Sequence, residues 1–229
     1  MPFIENILSL VFPRVCVACN NLLYKNEELV CTSCIYKLPR TDYHLFLDNP
    51  VKELFWGRVD ISHAASFLHF AKEGRVQRMI HEFKYRGKKE IGVLLGKLYG
   101  SELKKIDEFS KIDFIVPVPL HWSRQKKRGY NQSQMFANGL SEAMGINADS
   151  RILYRKTATE TQTKKSRFRR WENVHDVFAV EAPDRIMGKH ILLVDDVITT
   201  GSTLEACANV LLSVPGVKVS IATIAIAGQ

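Results

Sequence analysis

Asp195 and Asp196 stand side by side between an aliphatic run, Ile191-Leu192-Leu193-Val194, and a hydroxyl-rich stretch, Thr199-Thr200-Gly201-Ser202-Thr203. A Thr/Gly/Ser turn that opens into a helix presents backbone N–H groups, hydroxyls and a positive helix end to one point, which suits a phosphate. Gly201 lets the backbone come close to that ligand. Carboxylates repel a phosphate, so the two acids need another partner. Vicinal sugar hydroxyls that donate to them fit, and so does the water shell of a magnesium ion. A Walker-type phosphate loop is excluded, because no G-x-x-x-x-G-K-[ST] occurs. A capped strand-to-helix turn with no ligand would not need two acids.

Four cysteines carry the second chemistry. Cys16, Cys19, Cys31 and Cys34 form two C-x-x-C pairs separated by 11 residues, and Cys207 stands alone far downstream. Each short loop turns both thiolates of its pair toward a shared centre, the pattern of a structural four-cysteine zinc ribbon. The segment between the pairs is polar, with Asn20, Asn21 and Asn26, so a metal would supply folding energy that a core does not. Disulfides and a redox C-x-x-C are the alternatives. With four thiolates the site is closed, hence structural. Cys207 lies in a helical pattern and reads as a small buried apolar residue.

Cations gather in three places: Lys84, Arg86, Lys88 and Lys89; Arg124, Lys126, Lys127 and Arg128; and Lys164, Lys165, Arg167, Arg169 and Arg170. The chain has 32 Lys plus Arg against 24 Asp plus Glu, a net charge of +8. Polyanionic partners follow: nucleic acid, anionic lipid or a phosphorylated small molecule.

The elements that must position these groups alternate. Residues 3–12 read as a short amphipathic helix ended by Pro13, and the cysteine segment runs to about Pro39. Residues 40–62 carry no clear pattern. Strands are expected at 64–70, 112–118, 151–154, 177–180, 190–195 and 217–227, and helices at 73–85, 91–106, 133–144 and 202–212, with Asn131 as a helix cap. Apolar strands alternating with helices predict an α/β protein built on a parallel sheet flanked by helices. Two units are expected, 1–40 and 41–229. Length and composition (229 residues, 46% hydrophobic, 24% charged) exclude a disordered or fibrous chain. No apolar run approaches the roughly 20 residues of a membrane span, and the first residues make a poor signal peptide, so a cytoplasmic protein is expected.

Ile191–Ala206 resembles the phosphoribosyl pyrophosphate (PRPP) loop of type I phosphoribosyltransferases: four hydrophobics, two acids, then T-T-G-[ST]-T. Val116–Ser133, VPVPLHWSRQKKRGYNQS, resembles the ComF family signature V-P-V-P-x-x-x-x-R-x-x-x-R-G-[FY]-N-Q. Phe83–Gly87 and Arg155–Val174 match further segments of that family, except that Lys165 stands where an apolar residue is common. With the four cysteines ahead, the resemblance covers nearly the whole chain. It implies a type I phosphoribosyltransferase-like fold with an N-terminal zinc ribbon held by Cys16, Cys19, Cys31 and Cys34.

The same resemblance implies that Asp195 and Asp196 bind the ribose hydroxyls of PRPP, and that Thr199, Thr200, Gly201, Ser202 and Thr203 hold its 5′-phosphate. Val118, Pro119, Leu120 and His121 approach the pyrophosphate, with Lys84, Arg124, Arg128 and Lys164 stabilising its departing charge. Residues 156–172 correspond to a flexible catalytic loop. The implied activity is transfer from magnesium-PRPP to an acceptor the sequence does not identify, in a setting of competence and DNA uptake. The alternative is a non-catalytic component of that machinery that senses PRPP or binds single-stranded DNA, with Trp122, Tyr130, Phe168 and Trp171 as stacking platforms. A DNA-uptake helicase is the protein partner this setting implies.

Overall fold

The computed structural model describes residues 13–156 and 177–227. The cysteine segment holds one short helix, α1 (Thr32–Tyr36). The unpatterned stretch after it contains a 3-10 turn (Tyr43–Leu45) and α2 (Pro50–Glu53). Asn49 organises this stretch: its Oδ1 accepts from the N–H groups of Val51 and Lys52, and its Nδ2 donates to Ala64 O at 2.9 Å.

Then follow β1 (Ala64–Phe70), α3 (Arg75–Tyr85), α4 (Glu90–Leu103), α5 (Asp107–Ser110), β2 (Phe114–Pro117), α6 (Trp122–Arg128) and α7 (Gln132–Met144). The chain continues through β3 (Leu153–Arg155), β4 (Phe178–Val180), β5 (His190–Ile198), α8 (Ser202–Leu212) and β6 (Lys218–Ala227).

Strands β1, β6, β5 and β2 form, in that order, a four-stranded sheet in which every pairing is parallel. Successive side chains of β5 face opposite layers, which is why its aliphatic run is unbroken. Leu192 and Val194 join Met79, Phe83, Leu95 and Phe136 from α3, α4 and α7. Ile191 and Leu193 join Phe55, Leu204, Cys207 and Leu211 on the other face. Cys207 is fully buried there, as a small apolar residue would be.

The structure departs from expectation in several ways, among them a helix, α6, where the sequence reads as a basic loop. β5 runs on to Ile198 instead of ending at Asp195. The short strands β3 and β4 stay out of the parallel sheet and pair with each other, antiparallel, as a separate ribbon. α4 ends at Leu103, three residues short of Ile106. The cysteine segment also has more apolar support than its polarity suggested. Val17, Ala18, Val30 and Leu38 belong to the same buried cluster as α3, and Arg78 of α3 donates to Ala18 O at 3.1 Å. Just after it, residues 39–41 lie along the outer side of β1, with Thr41 N–H on Phe67 O and His69 N–H on Pro39 O. The expected helix over 3–12 lies outside the described residues.

Helices α4 and α7 pack backbone to backbone. A Cβ placed on Gly96 would sit 2.8 Å from Gly139 Cα, and one on Gly139 would sit 2.9 Å from Gly96 Cα. Neither backbone has room to yield, so the two glycines set the distance between the helices. Gly96→Ala is expected to destabilise the protein by about 1–3 kcal/mol. Thermal denaturation followed by circular dichroism checks it, with a lower Tm as the result.

Candidate active site

A crevice opens where β2 stops and β5 does not. Their register ends at Pro117 opposite Val194, and a last bond runs from Val118 N–H to Val194 O at 2.9 Å. Beyond it β5 continues, paired only with β6, while the chain after β2 turns away through Val118–His121. Asp195 and Asp196 therefore lie within the strand, along the wall of the crevice, rather than at a solvent-facing strand end. Asp195 is half-buried and Asp196 is buried at 9% exposure.

Both acids are held by side chains distant in sequence. Asp195 Oδ1 accepts from Ser133 Oγ at 2.7 Å and from the Asp196 N–H at 2.8 Å. Burial, and then the neighbouring Asp196 carboxylate, push Asp195 up to about 7. Asp196 is bridged by Lys84, whose Nζ lies 2.9 Å from each carboxylate oxygen. Lys84, expected beside a pyrophosphate, thus pairs with an acid of the same crevice. It gets there because α3 packs its apolar face on the sheet and carries Lys84 in its last turn.

The crevice, of about 590 Å³, brings together Lys84, Val118, Pro119, Leu120, His121, Arg124, Arg128, Asp195 and Asp196. Gln132, Ser133 and Arg155 also line it, and the sequence had not marked them for the site. Ser133 had a signal, two residues after a helix cap: Asn131 Oδ1 accepts the Ser133 N–H at 3.1 Å, and Asn131 Nδ2 ties α7 to Val118 O at 2.9 Å. Gln132 is buried and receives Arg128 at 2.8 Å. Arg155 is placed by the β3–β4 ribbon, over the Phe178 ring. With Lys84, Arg124, Arg128 and Arg155 facing two acids, the crevice favours an anionic occupant.

A smaller hollow of about 60 Å³, lined by Thr199, Thr200, Gly201, Ser202 and Thr203, shares Asp195, Val197 and Thr203 with the crevice. It sits at the start of the 11-residue α8, whose N-cap, Gly201, makes no side-chain cap. The first-turn N–H groups there need an acceptor. Gly201 has φ +75°, and a Cβ on it would meet the Phe55 ring at 3.1 Å. The turn and the neighbouring Phe55 ring both require the glycine. Arg58 braces the loop, donating to Thr200 O at 3.0 Å.

Across Pro119, Leu120, His121 and Arg155 lies a second hollow of about 660 Å³, walled by Trp122 and Tyr154. Trp122 is 68% exposed, whereas Tyr130 is turned inward, its hydroxyl donating to Phe83 O. Lys164, Phe168 and Trp171 lie outside the described residues.

The cysteine cluster is separate from this site. The sulfurs of Cys16, Cys19, Cys31 and Cys34 lie within 4.8 Å of one another, and all five cysteines are free thiols. Cys19 and Cys31 are 3.8 Å apart, close to the S···S edge of about 3.8 Å that zinc–sulfur bonds of about 2.3 Å give a tetrahedron. Burial raises the Cys16 thiol, but N–H donors of Cys31, Ala18 and Cys19 outweigh it and bring it to about 7. The donor set and its spacing fit a closed structural metal site.

Residues 92–229 match the family described as the phosphoribosyl transferase domain. The chain is 32% identical over 205 residues to the DNA utilization protein YhgH of Escherichia coli K12, covering 86% of this chain and 84% of that one. It is 28% identical to competence protein ComFC of Bacillus subtilis, over 83% of this chain and 80% of the relative. Competence protein F of Haemophilus influenzae is 32% identical over 58% of this chain and 60% of its own.

The raised Asp195 carboxyl has a measurable cost. Its ordinary value is 3.8 and its folded value about 7, so between these limits the folded state holds a proton that the unfolded state has lost. Stability contributed by the protonated form falls as pH rises through that window, and the penalty is complete above it. Asp195→Asn keeps the oxygen that accepts from Ser133 and removes the charge. It is expected to raise Tm at about pH 8, by on the order of 2–4 °C per kcal/mol regained, and to change it little at about pH 4. Thermal melts of both proteins at the two pH values check this.

Proposed function

This chain belongs to the phosphoribosyl transferase domain family and groups with the competence F and ComFC proteins, and from that membership we propose that it binds magnesium-PRPP and transfers its ribosyl phosphate to an acceptor. The observation that carries the reading is the continuity of the crevice with the hollow at the start of α8. One bound molecule can then place a phosphate, a diol and a second, more highly charged group at once.

In this reading, Thr199–Thr203 hold the 5′-phosphate with first-turn N–H groups and hydroxyls. Asp195 and Asp196 accept from the ribose hydroxyls. The Val118–His121 turn, Lys84, Arg124 and Arg128 face the pyrophosphate, and Lys164 joins them from outside the described residues. Magnesium would be held beside Asp195 and Asp196, and when bound it would shield the phosphate charges. The bond from the anomeric carbon to the pyrophosphate oxygen breaks with its electron pair leaving on pyrophosphate. The acceptor bonds to that carbon and loses its proton. A ribose hydroxyl competes with Lys84 for Asp196, so substrate binding releases the ammonium toward the leaving group, where it stabilises charge that develops in the transition state.

The four thiolates bind zinc in this reading, in a ribbon over residues 1–40 ahead of a transferase unit over 41–229. The free thiols suit a reducing compartment, the cytoplasm. Among the described residues no helix is long and apolar enough to cross a membrane. Exposed Trp122 beside Lys126 and Lys127 supports a second reading, a single-stranded-DNA-binding component of an uptake machinery in which PRPP is sensed. In that case pyrophosphate is not released, and a helicase is the kind of partner involved.

Magnesium-PRPP is expected to raise Tm, and addition of acceptor heterocycles and sugars to release pyrophosphate. Lys84→Met should lower turnover about 100-fold or more, the scale of losing one charge-stabilising donor. Asp195→Ala combined with Asp196→Ala should abolish the Tm shift. No shift and no pyrophosphate across the panel would reject the transferase, and a shift without pyrophosphate favours the sensing reading. Metal analysis of the purified chain is expected to give one zinc per chain, with Cys16→Ser losing most of it and unfolding at lower temperature.

A further inference from the structure

A second cluster of ligating groups lies on the far side of α4 from α7, and nothing in the transfer chemistry uses it. Asp42, His44 and Glu102 each offer an atom, and the three atoms lie within 4.8 Å of one another. Asp42 and His44 come from the turn after the cysteine segment, Glu102 from the last turn of α4.

The imidazole is the informative group. The His44 side chain is 7% exposed, packed edge-on against the Tyr99 ring, and its Nε2 lies 3.8 Å from Glu102 Oε2. That separation is too long for a hydrogen bond. Among the described residues, Glu102 Oε2 and His44 Nδ1 are buried with no hydrogen-bond partner. Orphaned buried polar atoms are costly, and Glu102 Oε2, the oxygen that faces His44 Nε2, is one of them. An ion bound to nitrogen and oxygen at about 2.0–2.2 Å spans N···O separations of about 3–4 Å, so one cation between His44 Nε2 and Glu102 Oε2 supplies the partner that Oε2 lacks. Arg40 does not occupy the gap: its Nε reaches Glu102 Oε1, at 3.4 Å, leaving Oε2 free.

We propose that Asp42, His44 and Glu102 form a second divalent-cation site, distinct from the thiolate cluster, for a borderline ion of the Zn2+ or Mn2+ type. One imidazole and two carboxylates are a nitrogen–oxygen donor set, which such ions accept and which thiolate-seeking Cu(I) does not. The ion ties the turn that leaves the cysteine segment to the end of α4. It therefore clamps the residues that run beside β1.

Mn2+ is the probe, because it does not displace zinc from thiolates. Full-length protein carrying its zinc is titrated with Mn2+ and free Mn2+ is read by electron paramagnetic resonance, alongside thermal melts. The expected result is one bound Mn2+ per chain and a rise in Tm, both lost in Asp42→Asn and His44→Ala with the zinc content unchanged. Asp42 is exposed, so its amide variant decides the matter if His44→Ala does not fold. No Mn2+ bound at millimolar concentration, or an equivalent that persists in Asp42→Asn, overturns the proposal. Persistence together with loss in Asp195→Asn would put the ion in the crevice instead.

Discussion

Two carboxylates on consecutive residues of one strand, both withdrawn from water, repel each other and lose hydration together. Everything around Asp195 and Asp196 answers that strain. Lys84 neutralises one acid and Ser133 donates to the other, while burial and the mutual repulsion hold Asp195 near a half-ionised state at neutral pH. For those two partners to arrive, α3 and α7 must lie against the same face of the sheet at set heights. Gly96 and Gly139 fix α7 on α4, and Asn131 pins the start of α7 to the Val118 carbonyl. The packing of the helical layer is thus also the construction of the acid pair. A ligand whose hydroxyls replace Lys84 would find its acceptors already aligned and a cation set free within the same crevice.

Much of this arrangement was legible along the chain because it is local. The strand at 64–70 and the helix at 202–212 have the expected bounds, since a short apolar run and the hydroxyl-rich start of α8 act over a few residues. The acids and the loop after them were visible for the same reason. What could not be read was pairing at long range. Lys84 and Asp196 are 112 positions apart, and Ser133 and Asp195 are 62 apart, so no spacing rule connects them. The antiparallel partnership of β3 and β4 was hidden because three-residue strands carry no alternation long enough to fix a partner. The apolar support of the cysteine segment was missed because Val17, Ala18, Val30 and Leu38 are buried in one cluster with side chains of α3, a partner distant in sequence.

The crevice and the thiolate cluster divide the chemistry by exposure. The thiolates surround their centre completely and leave no open position, which suits a part that shapes the chain. The acids and cations line an open wall, and their charges are only partly compensated in the ligand-free state. Asp42, His44 and Glu102 lie between these extremes, at the joint where the cysteine segment hands the chain to the sheet. Its three ligands come from just two stretches of chain, so an ion there would stiffen the joint without reaching the crevice.

The residues at that joint also guard an edge. β1 and β2 are the outer strands of the parallel sheet, and an outer strand offers unpaired N–H and C=O groups to any strand that comes near. On β2 those groups are few, because the strand is four residues long, ends in Pro117 and is bracketed by Asn147 and Asp149. On β1, among the described residues, they are covered by residues 39–41, through Thr41, Pro39 and the bridge from Arg40 to Leu68, while Asn49 donates to the Ala64 carbonyl. Were the cysteine segment to come loose, residues 39–41 would loosen with it and uncover Ala-Ala-Ser-Phe-Leu-His-Phe, an outer strand without Asp, Glu, Lys or Arg. The order of the cysteine segment would then bear on self-association as well as on folding, because the residues that follow it shield that edge.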